Sequence, residues 1–276
     1  MTSLPVPPSG CPQRDPSSTH PAAAQAPNLI AIASGKGGVG KTFFSISLAT
    51  ALARAGRKVL LFDGDLGLAN VDVQLGIMPP RDLSWVIAGK ALLHQVSVPY
   101  APGGFDVIAG RSGAGGLAAL PPTRLSILAG DLAHLAKSYD YAILDLGAGV
   151  DRLVRIMAQP CGTRIVVATA EPTSLTDAYA FMKVSLSDDP SCDLRIVINQ
   201  ARTSGEGDKT YHTLAKACET FLKRTPSLLG TIRKDKRVLE AIRAQTPIFV
   251  KHATSDAGMD IEAIAARLMA RGTPAE

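Results

Sequence analysis

Six short runs of aliphatic residues recur along the chain after Asn28, and each has the length of a buried β-strand. These runs are Leu29–Ala33, Val59–Phe62, Phe105–Ala109, Tyr141–Leu144, Arg164–Ala168 and Leu194–Ile198. Amphipathic stretches of helical length lie between most of them, at Thr42–Arg54, Pro122–Lys137, Ser174–Leu186 and Lys209–Lys223. Apolar strands that alternate with amphipathic helices predict an α/β fold, with a mostly parallel twisted sheet and helices on both faces.

Residues 1–27 have a different character from the rest of the chain. They contain seven prolines among serine, threonine, alanine and glutamine, and their apolar residues show no periodicity. Such a segment cannot offset the entropy lost on ordering, so we expect a disordered tail over 1–27. It has no basic start and no continuous apolar stretch, which argues against a secretory signal. We expect a single domain over 28–276, since no repeat or internal linker follows.

Composition narrows the class of protein further. The chain has 276 residues, of which 46% are hydrophobic and only 5% aromatic, so a sizeable aliphatic core is expected. No apolar run approaches the roughly 18 residues that a spanning helix needs. The four cysteines are too far apart for a zinc or iron–sulfur spacing, which makes the cytoplasm the expected compartment. The net charge of +5 allows an anionic partner without requiring one.

A glycine-rich segment follows the first predicted strand and leads into the first predicted helix. From Gly35 to Thr42 it satisfies the P-loop pattern G-x-x-x-x-G-K-S/T. In such a loop backbone N–H groups surround phosphate oxygens, Lys41 binds the β- and γ-phosphates, and the Thr42 hydroxyl ligates Mg²⁺. The dinucleotide fingerprint G-x-G-x-x-G fits the glycine spacing less well. The loop residues expected to bind nucleotide are Gly35, Gly37, Gly38, Val39, Gly40, Lys41 and Thr42.

Carboxylates stand at the ends of two further predicted strands. Asp63 and Asp65 follow the second strand, and Asp145 ends the fourth strand shortly before Gly149. The carboxyl ends of parallel strands meet at one edge of the sheet, so these acids are expected beside the phosphate loop, where they suit Mg²⁺ and water. An aliphatic strand that closes on an aspartate is also the Walker B arrangement. Turn capping is the alternative role for Asp63 and Asp65.

Lys36 places a second lysine inside the loop and gives it the form K-G-G-x-G-K-S/T. This form resembles the deviant Walker A motif of the MinD/ParA family of dimeric ATPases. The resemblance implies a single-domain P-loop NTPase, with ATP or ADP and Mg²⁺ as ligands, slow ATP hydrolysis and an ATP-dependent homodimer. In that dimer Lys36 would reach the phosphates bound by the partner subunit. A solvated surface lysine is the alternative interpretation.

The same resemblance implies roles for the carboxylates. Asp65 lies in a stretch similar to switch I and would orient the attacking water, while Asp63 would support the loop and the metal shell. Asp145 would meet Mg²⁺ through a water, and Gly149 would let switch II approach the γ-phosphate. The implied catalytic set is Lys36, Lys41 and Asp65, and the implied metal set is Thr42, Asp63 and Asp145.

Two longer stretches, Asp65–Val73 and Glu171–Tyr179, resemble the FlhG branch of the family, also called FleN or YlxH. That resemblance implies that Asn199 contacts the adenine base, whereas a strand-end cap is its alternative role. The stretch Gly230–Asp235 matches a base-lining loop only in outline, because Arg233 stands where MinD relatives often have proline.

The branch implies a regulator of flagellar number and placement. Its implied partners are an FlhF-like GTPase, flagellar switch-complex proteins or a flagellar transcription regulator. The chain departs from some relatives because 1–27 lacks the activator motif D-Q-A-x-x-L-R. The alternative function is a ParA-type DNA-binding partition ATPase, since Arg195–Lys251 has an excess of basic residues.

The C-terminal stretch Met259–Arg271 predicts an amphipathic helix. Family resemblance suggests reversible, ATP-dependent contact with the inner face of the cell membrane. Core packing is the favoured interpretation, because the stretch lacks Trp and Phe and carries Asp260 and Glu262, which oppose anionic lipid.

Overall fold

An eight-stranded sheet forms the centre of the computed structural model, which describes residues 25–110 and 120–271. Its strands are β1 (Ala26–Ser34), β2 (Val59–Gly64), β3 (Val98–Tyr100), β4 (Phe105–Ile108), β5 (Tyr141–Ala148), β6 (Cys161–Ala168), β7 (Asp193–Ala201) and β8 (Ser227–Arg233). The strand order is β3-β4-β2-β5-β1-β6-β7-β8, and all neighbours are parallel except β3 and β4. The predicted α/β fold with a mostly parallel sheet is confirmed.

Helices cover both faces of this sheet. Within the described residues they are α1 (Lys41–Arg54), α2 (Val71–Leu75), α3 (Leu83–Ile87), α4 (Pro122–Ala136), α5 (Arg152–Ala158), α6 (Pro172–Asp188), α7 (Ser204–Leu222), α8 (Lys236–Arg243), α9 (Ile248–Lys251) and α10 (Asp256–Arg271). Alternate residues of β1 serve two cores. Leu29 and Ala31 face a core shared with α4 to α7, whereas Ile30 and Ile32 face one shared with α1 and α10. This alternation follows from the two-residue period of a strand.

The first strand begins at Ala26, two residues before the domain boundary expected at 28. The Ala26 N–H donates to the Pro160 carbonyl at 2.8 Å, and Ala26 pairs with Cys161 of β6. Backbone pairing with β6 therefore extends the ordered chain into the last residues of the predicted tail. The rest of that prediction, over 1–24, lies outside the described residues.

Two stretches near the carboxyl-terminal third differ from the predicted elements. Most of the stretch Gly230–Asp235, which matches a base-lining loop only in outline, lies in β8, and β8 pairs with β7. Helix α7 begins at Ser204 rather than Lys209, because Thr203 caps it by accepting the Glu206 N–H at 3.1 Å. The first turn of α7 contains two glycines, which disfavour a helix, so the sequence pattern does not predict a start at Ser204.

The C-terminal helix α10 packs against the sheet. Its residues Ile261, Ile264 and Leu268 are buried in the core that includes α1. Arg267 donates from Nη1 to the Leu229 carbonyl of β8 at 2.9 Å, which fixes the helix along that strand. Core packing is thus what the structure gives for this helix. Among the helices described, none combines the length and the apolar character needed to cross a bilayer.

Candidate nucleotide-binding site

The P-loop joins the carboxyl end of β1 to the amino end of α1, as the sequence pattern predicts. Gly38 and Gly40 adopt positive φ angles of 81° and 88°, in the left-handed region that favours glycine. A Cβ atom at Gly40 would overlap the side-chain nitrogen of Asn199. Glycine at 40 is therefore required by both the local turn and the close approach of β7.

A cleft of about 660 Å³ opens beside this loop. The loop forms one wall, and the segments after β2 and β5 form the other walls, as expected for the carboxyl edge of an open α/β sheet. The lining residues from these three segments include Lys36, Gly37, Gly38, Gly40, Lys41, Thr42, Asp65, Asn70 and Gly147. The structure thus brings most of the predicted site residues to one cavity.

Asp145 of β5 is almost fully buried behind the residues that line the cleft. Its Oδ2 accepts the Thr42 hydroxyl at 2.6 Å, and its Oδ1 accepts the Ser45 hydroxyl at 2.9 Å. Burial raises the pKa of Asp145, although the charge of Lys41 and the two hydroxyl donors oppose that shift. Strands β1 and β5 are neighbours, which is why the P-loop threonine and the Walker B aspartate meet.

Asp63 is also buried, and its carboxylate holds the chain that follows β2. Its Oδ1 accepts the Asp65 N–H at 3.2 Å, and its Oδ2 accepts the N–H groups of Asn70 and Val71, both at 3.1 Å. Burial, and then the charge of Asp145, raise its pKa to about 7. These contacts fit both the loop-supporting role and the turn-capping alternative, and the place of Asp63 in the metal shell stays a prediction.

Asp65 lies on the wall of the cleft opposite the P-loop. Its Oδ1 accepts the Leu68 N–H at 3.0 Å, and its carboxylate packs beside Gly147, where an added Cβ would be 3.5 Å away. Gly149 donates its N–H to the Ser34 carbonyl at 2.9 Å and has a φ of 99°. Switch-like segments after β2 and β5 therefore meet at the cleft.

Thr42 and Asp145 offer a hydroxyl and a carboxylate to a divalent cation, whereas no group of three or more Asp, Glu, His or Cys side chains in the described residues is arranged to hold a metal. Burial first, and then the negative charges of neighbouring aspartates, raise the pKa of Asp63 and Asp145. Carboxylate and hydroxyl oxygens are ligands that Mg²⁺ accepts together with substrate phosphates. Thr42 and Asp145 would hold Mg²⁺, which when bound would neutralise charge on the transferred phosphate. The donor set therefore fits this ion.

Lys36 lies at the rim of the cleft and is bound by groups of the same chain. Its Nζ donates to Glu171 Oε2 at 2.8 Å and to Thr173 Oγ1 at 3.0 Å. The Lys36 side chain retains 39% of its exposure. This contact does not decide between a surface lysine and the cross-dimer role. An ion pair at the rim could open, and Lys36 could then bind a group of another subunit.

Asn199, predicted to contact the adenine base, is buried at the end of β7. Its side-chain nitrogen donates to the Val39 carbonyl of the P-loop at 2.7 Å, and its oxygen accepts the Gln200 N–H at 2.8 Å. These contacts tie β7 to the loop backbone. An adenine contact stays a prediction.

Sequence reasoning missed three contributors to this site. Ser45 lies one helical turn after Thr42, a spacing that could have placed it against the same carboxylate. Glu171 and Thr173 stand in the sequence only as part of a resemblance, because their partner Lys36 is 135 residues away from Glu171. Long-range pairing of this kind leaves no local pattern in one sequence.

Fold and site together define a P-loop nucleotide-binding protein with a second lysine in its phosphate loop. Residues 30–248 match the family model of the CobQ/CobB/MinD/ParA nucleotide binding domain. The antiactivator FleN of Pseudomonas aeruginosa is 35% identical over 90% of this chain and 88% of its own length. The flagellum site-determining protein YlxH of Helicobacter pylori is 31% identical over 84% of this chain and 81% of its own length.

Solved structures of similar fold include MinD proteins. The cell division ATPase MinD of Pyrococcus furiosus aligns with a TM-score of 0.77 and 23% identity, over 89% of this chain and all of that one. MinD of Pyrococcus horikoshii, complexed with Mg-ADP, aligns with a TM-score of 0.76 and 24% identity, over 90% of this chain and 99% of that one. MinD of Aquifex aeolicus, in a MinC:MinD complex, aligns with a TM-score of 0.71 and 25% identity, over 90% of this chain and 98% of that one.

The chain belongs to the MinD/ParA family of P-loop ATPases. Its phosphate loop and this family model make it a nucleotide-binding protein, and ATP or ADP with Mg²⁺ are the ligands that the resemblance implied. FleN and YlxH are each similar to more than four-fifths of this chain.

Proposed function

We propose that the protein is an ATP-dependent dimerisation switch that hydrolyses ATP slowly and regulates flagellar number and placement. The observation that carries the flagellar part is the 31% identity to the flagellum site-determining protein YlxH over 84% of the chain, beside the 35% identity to FleN. The switch part is supported by Lys36, because the second lysine of the P-loop stands at the rim of the cleft, half-exposed and close to where a phosphate would bind.

In the proposed cycle, two ATP-bound subunits close over their nucleotides. Lys36 exchanges Glu171 for the phosphate bound by the partner subunit, which contributes a charge-assisted hydrogen bond across the interface. Lys41 stabilises negative charge on the phosphates within its own subunit, and Asp65 orients the attacking water. Hydrolysis removes the γ-phosphate, so the cross-subunit contact is lost and the dimer separates.

The proposed partners come from the similarity to FleN and YlxH. They are an FlhF-like GTPase, flagellar switch-complex proteins or a flagellar transcription regulator. Binding of such a partner to the ATP-bound dimer would couple nucleotide state to flagellar assembly, since only the dimer presents both subunits together. Reversible contact with the inner face of the membrane is a further proposal, although the apolar face of α10 is already used in the core.

Asp65→Ala tests the switch directly. The variant is expected to bind ATP, to lose hydrolysis and to accumulate as a dimer with ATP but not with ADP. Size-exclusion chromatography with light scattering measures the mass, and phosphate release measures hydrolysis. Asp131→Ala, at an exposed position of α4, is the matched control and should behave like the natural protein. Unchanged hydrolysis in Asp65→Ala would remove Asp65 from the mechanism, and a monomer with ATP would remove the trapped dimer.

The ParA-type alternative has weaker support. Three arginines of the basic span Arg195–Lys251 are engaged in ion pairs within the chain: Arg195 with Asp193, Arg202 with Glu206, and Arg233 with Asp256 and Asp260. Paired arginines contribute less to a DNA-binding surface than free ones. ATP-dependent, salt-sensitive retention on non-specific DNA would favour this alternative, and no retention at low salt would count against it.

A further inference from the structure

We propose that Asn199 and Gln200 act as a clamp that holds the P-loop backbone in its phosphate-binding shape. Asn199 is then a positioning residue for phosphate rather than chiefly a contact to the base. The inference concerns one subunit and its phosphate site, so it does not depend on dimerisation or on the flagellar role.

The clamp reaches two consecutive carbonyl groups of the loop. Asn199 donates from Nδ2 to the Val39 carbonyl at 2.7 Å, and Gln200 donates from Nε2 to the Gly38 carbonyl at 3.4 Å. A trans peptide unit is planar, and its C=O and N–H groups point in opposite directions. Drawing these two carbonyls toward β7 therefore turns the N–H groups of Val39 and Gly40 away from β7. Those N–H groups belong to the residues predicted to bind phosphate.

The two clamp residues are unusual in different ways, Asn199 as a buried polar side chain and Gln200 through its backbone conformation. Asn199 is only 4% exposed, and its oxygen is occupied by the Gln200 N–H at 2.8 Å. Gln200 has a φ of 59°, a left-handed conformation that residues other than glycine rarely adopt. Strained backbone of this kind persists where the surrounding structure fixes it, often at functional sites.

The fit between clamp and loop is also steric. A Cβ at Gly40 would overlap the Asn199 amide nitrogen, so glycine at 40 and the Asn199 amide occupy adjoining space. The amide packs against the loop at the position where α1 begins. With one amide hydrogen and the oxygen already bonded, most of the Asn199 hydrogen-bonding capacity is used on backbone groups.

A ligand without a base separates this role from an adenine contact. Affinities for Mg-ATP, Mg-ADP and magnesium tripolyphosphate are to be measured by calorimetry on the full chain. Asn199→Ala should weaken all three by a similar factor, about tenfold, because the buried Val39 carbonyl loses its donor and the Gly40 N–H loses its orientation. Gln200→Ala should weaken all three by a smaller factor, since its hydrogen bond is long.

Two further variants make the test selective. Asn28→Ala is the matched control, because Asn28 Nδ2 also donates to backbone carbonyls, those of Ala136 and Tyr139, at 2.7 and 2.8 Å. It should lower the melting temperature without changing any of the three affinities. Asn199→Asp keeps the acceptor for the Gln200 N–H but loses the donor to Val39, so it should weaken tripolyphosphate at least as much as Asn199→Ala.

A loss confined to ATP and ADP, with tripolyphosphate binding unchanged in Asn199→Ala, would overturn the clamp and leave a base contact. Unchanged affinity for all three ligands would overturn it as well. If Asn199→Ala does not fold, Gln200→Ala decides by the same comparison of ATP with tripolyphosphate. Because Mg-ADP and tripolyphosphate binding are measured on single subunits, failure of the proposed dimer switch would leave these outcomes unaffected.

Discussion

Lys36 and Glu171 form an ion pair within one subunit, with Nζ 2.8 Å from Oε2. The hydrogen bond from Lys36, followed by its charge, lowers the pKa of Glu171. The ion pair therefore stabilises the fold at pH values above the ordinary Glu pKa. This stabilisation is lost as the pH falls through the lowered pKa of Glu171. Any role of Lys36 in another subunit requires this pair to open first.

We expect Lys36→Ala to raise the pKa of Glu171 back toward its ordinary value of 4.5. Carboxyl-carbon NMR titration of the natural and variant proteins measures this shift. Lys183→Ala, at an exposed position of α6, should leave the Glu171 titration unchanged. A Glu171 pKa that is the same with and without Lys36 would show that the pair does not persist in solution.

Lys36→Ala is also expected to bind nucleotide and yet remain monomeric with ATP. Its own P-loop retains Lys41 and the backbone N–H groups, whereas the proposed cross-subunit cation is removed. Light scattering of the ATP-bound protein measures the mass, again with Lys183→Ala as the control. An ATP-dependent dimer of Lys36→Ala would contradict the proposed role.

The hydroxyl at position 42 should decide the response to Mg²⁺. Thr42→Ala removes the group that lies 2.6 Å from Asp145, so we expect the Mg²⁺-dependent part of ATP affinity to fall by about tenfold or more. Thr42→Ser keeps the hydroxyl and should retain most of the Mg²⁺-dependent part of ATP affinity. Calorimetry with and without Mg²⁺ tests both variants, and equal Mg²⁺ dependence in Thr42→Ala and the natural protein would exclude Thr42 as a ligand.

Asp63 should make the stability of the nucleotide-free protein depend on pH. Its folded-state pKa of about 7 lies above the ordinary 3.8, so the folded protein binds the proton more tightly than the unfolded chain. The contribution of Asp63 is therefore complete below about pH 4 and declines as the pH rises to about 7, by at most about 4 kcal/mol. Urea unfolding at pH 5 and pH 7.5 should show that the free energy of unfolding falls less between these two pH values in Asp63→Asn than in the natural protein. An identical pH slope in the two proteins would refute the assignment.

Ile264→Ala tests whether α10 is a core helix. Ile264 is 1% exposed, so its truncation should lower the free energy of unfolding by about 2–4 kcal/mol. Met259→Ala lies on the exposed side of the same helix and should change stability by less than about 0.5 kcal/mol. Denaturant unfolding measures both, alongside sedimentation with anionic vesicles. Lost vesicle binding with unchanged stability in Ile264→Ala would instead indicate a membrane role.

The central strands and the phosphate loop could be predicted from sequence because their signals are local. Leu29–Ala33 is apolar at every position since both faces of β1 are covered, and the loop pattern follows within eight residues. The order of β2, β5 and β1 in the sheet then brings Asp63 and Asp145 together. That adjacency follows from parallel α/β architecture rather than from any single residue.

Other features could not be predicted because they depend on tertiary contacts. The sequence of β8, which includes Gly230 and Arg233, does not indicate a strand. The strand is held by pairing with β7 and by contact with α10. Arg233 itself binds Asp260 of α10 through its backbone and guanidinium groups. The clamp contacts of Asn199 likewise join positions 160 residues apart. One sequence contains no periodicity that reports such pairs.

The short antiparallel strand β3 limits how copies of the protein can join. It spans only Val98–Tyr100 and carries Pro99, which has no N–H to offer a further strand. A sheet border of this kind resists strand-by-strand growth from one molecule to the next. Assembly along this border into open-ended fibres is thereby disfavoured, which leaves closed pairing through other surfaces as the more accessible route to a defined oligomer.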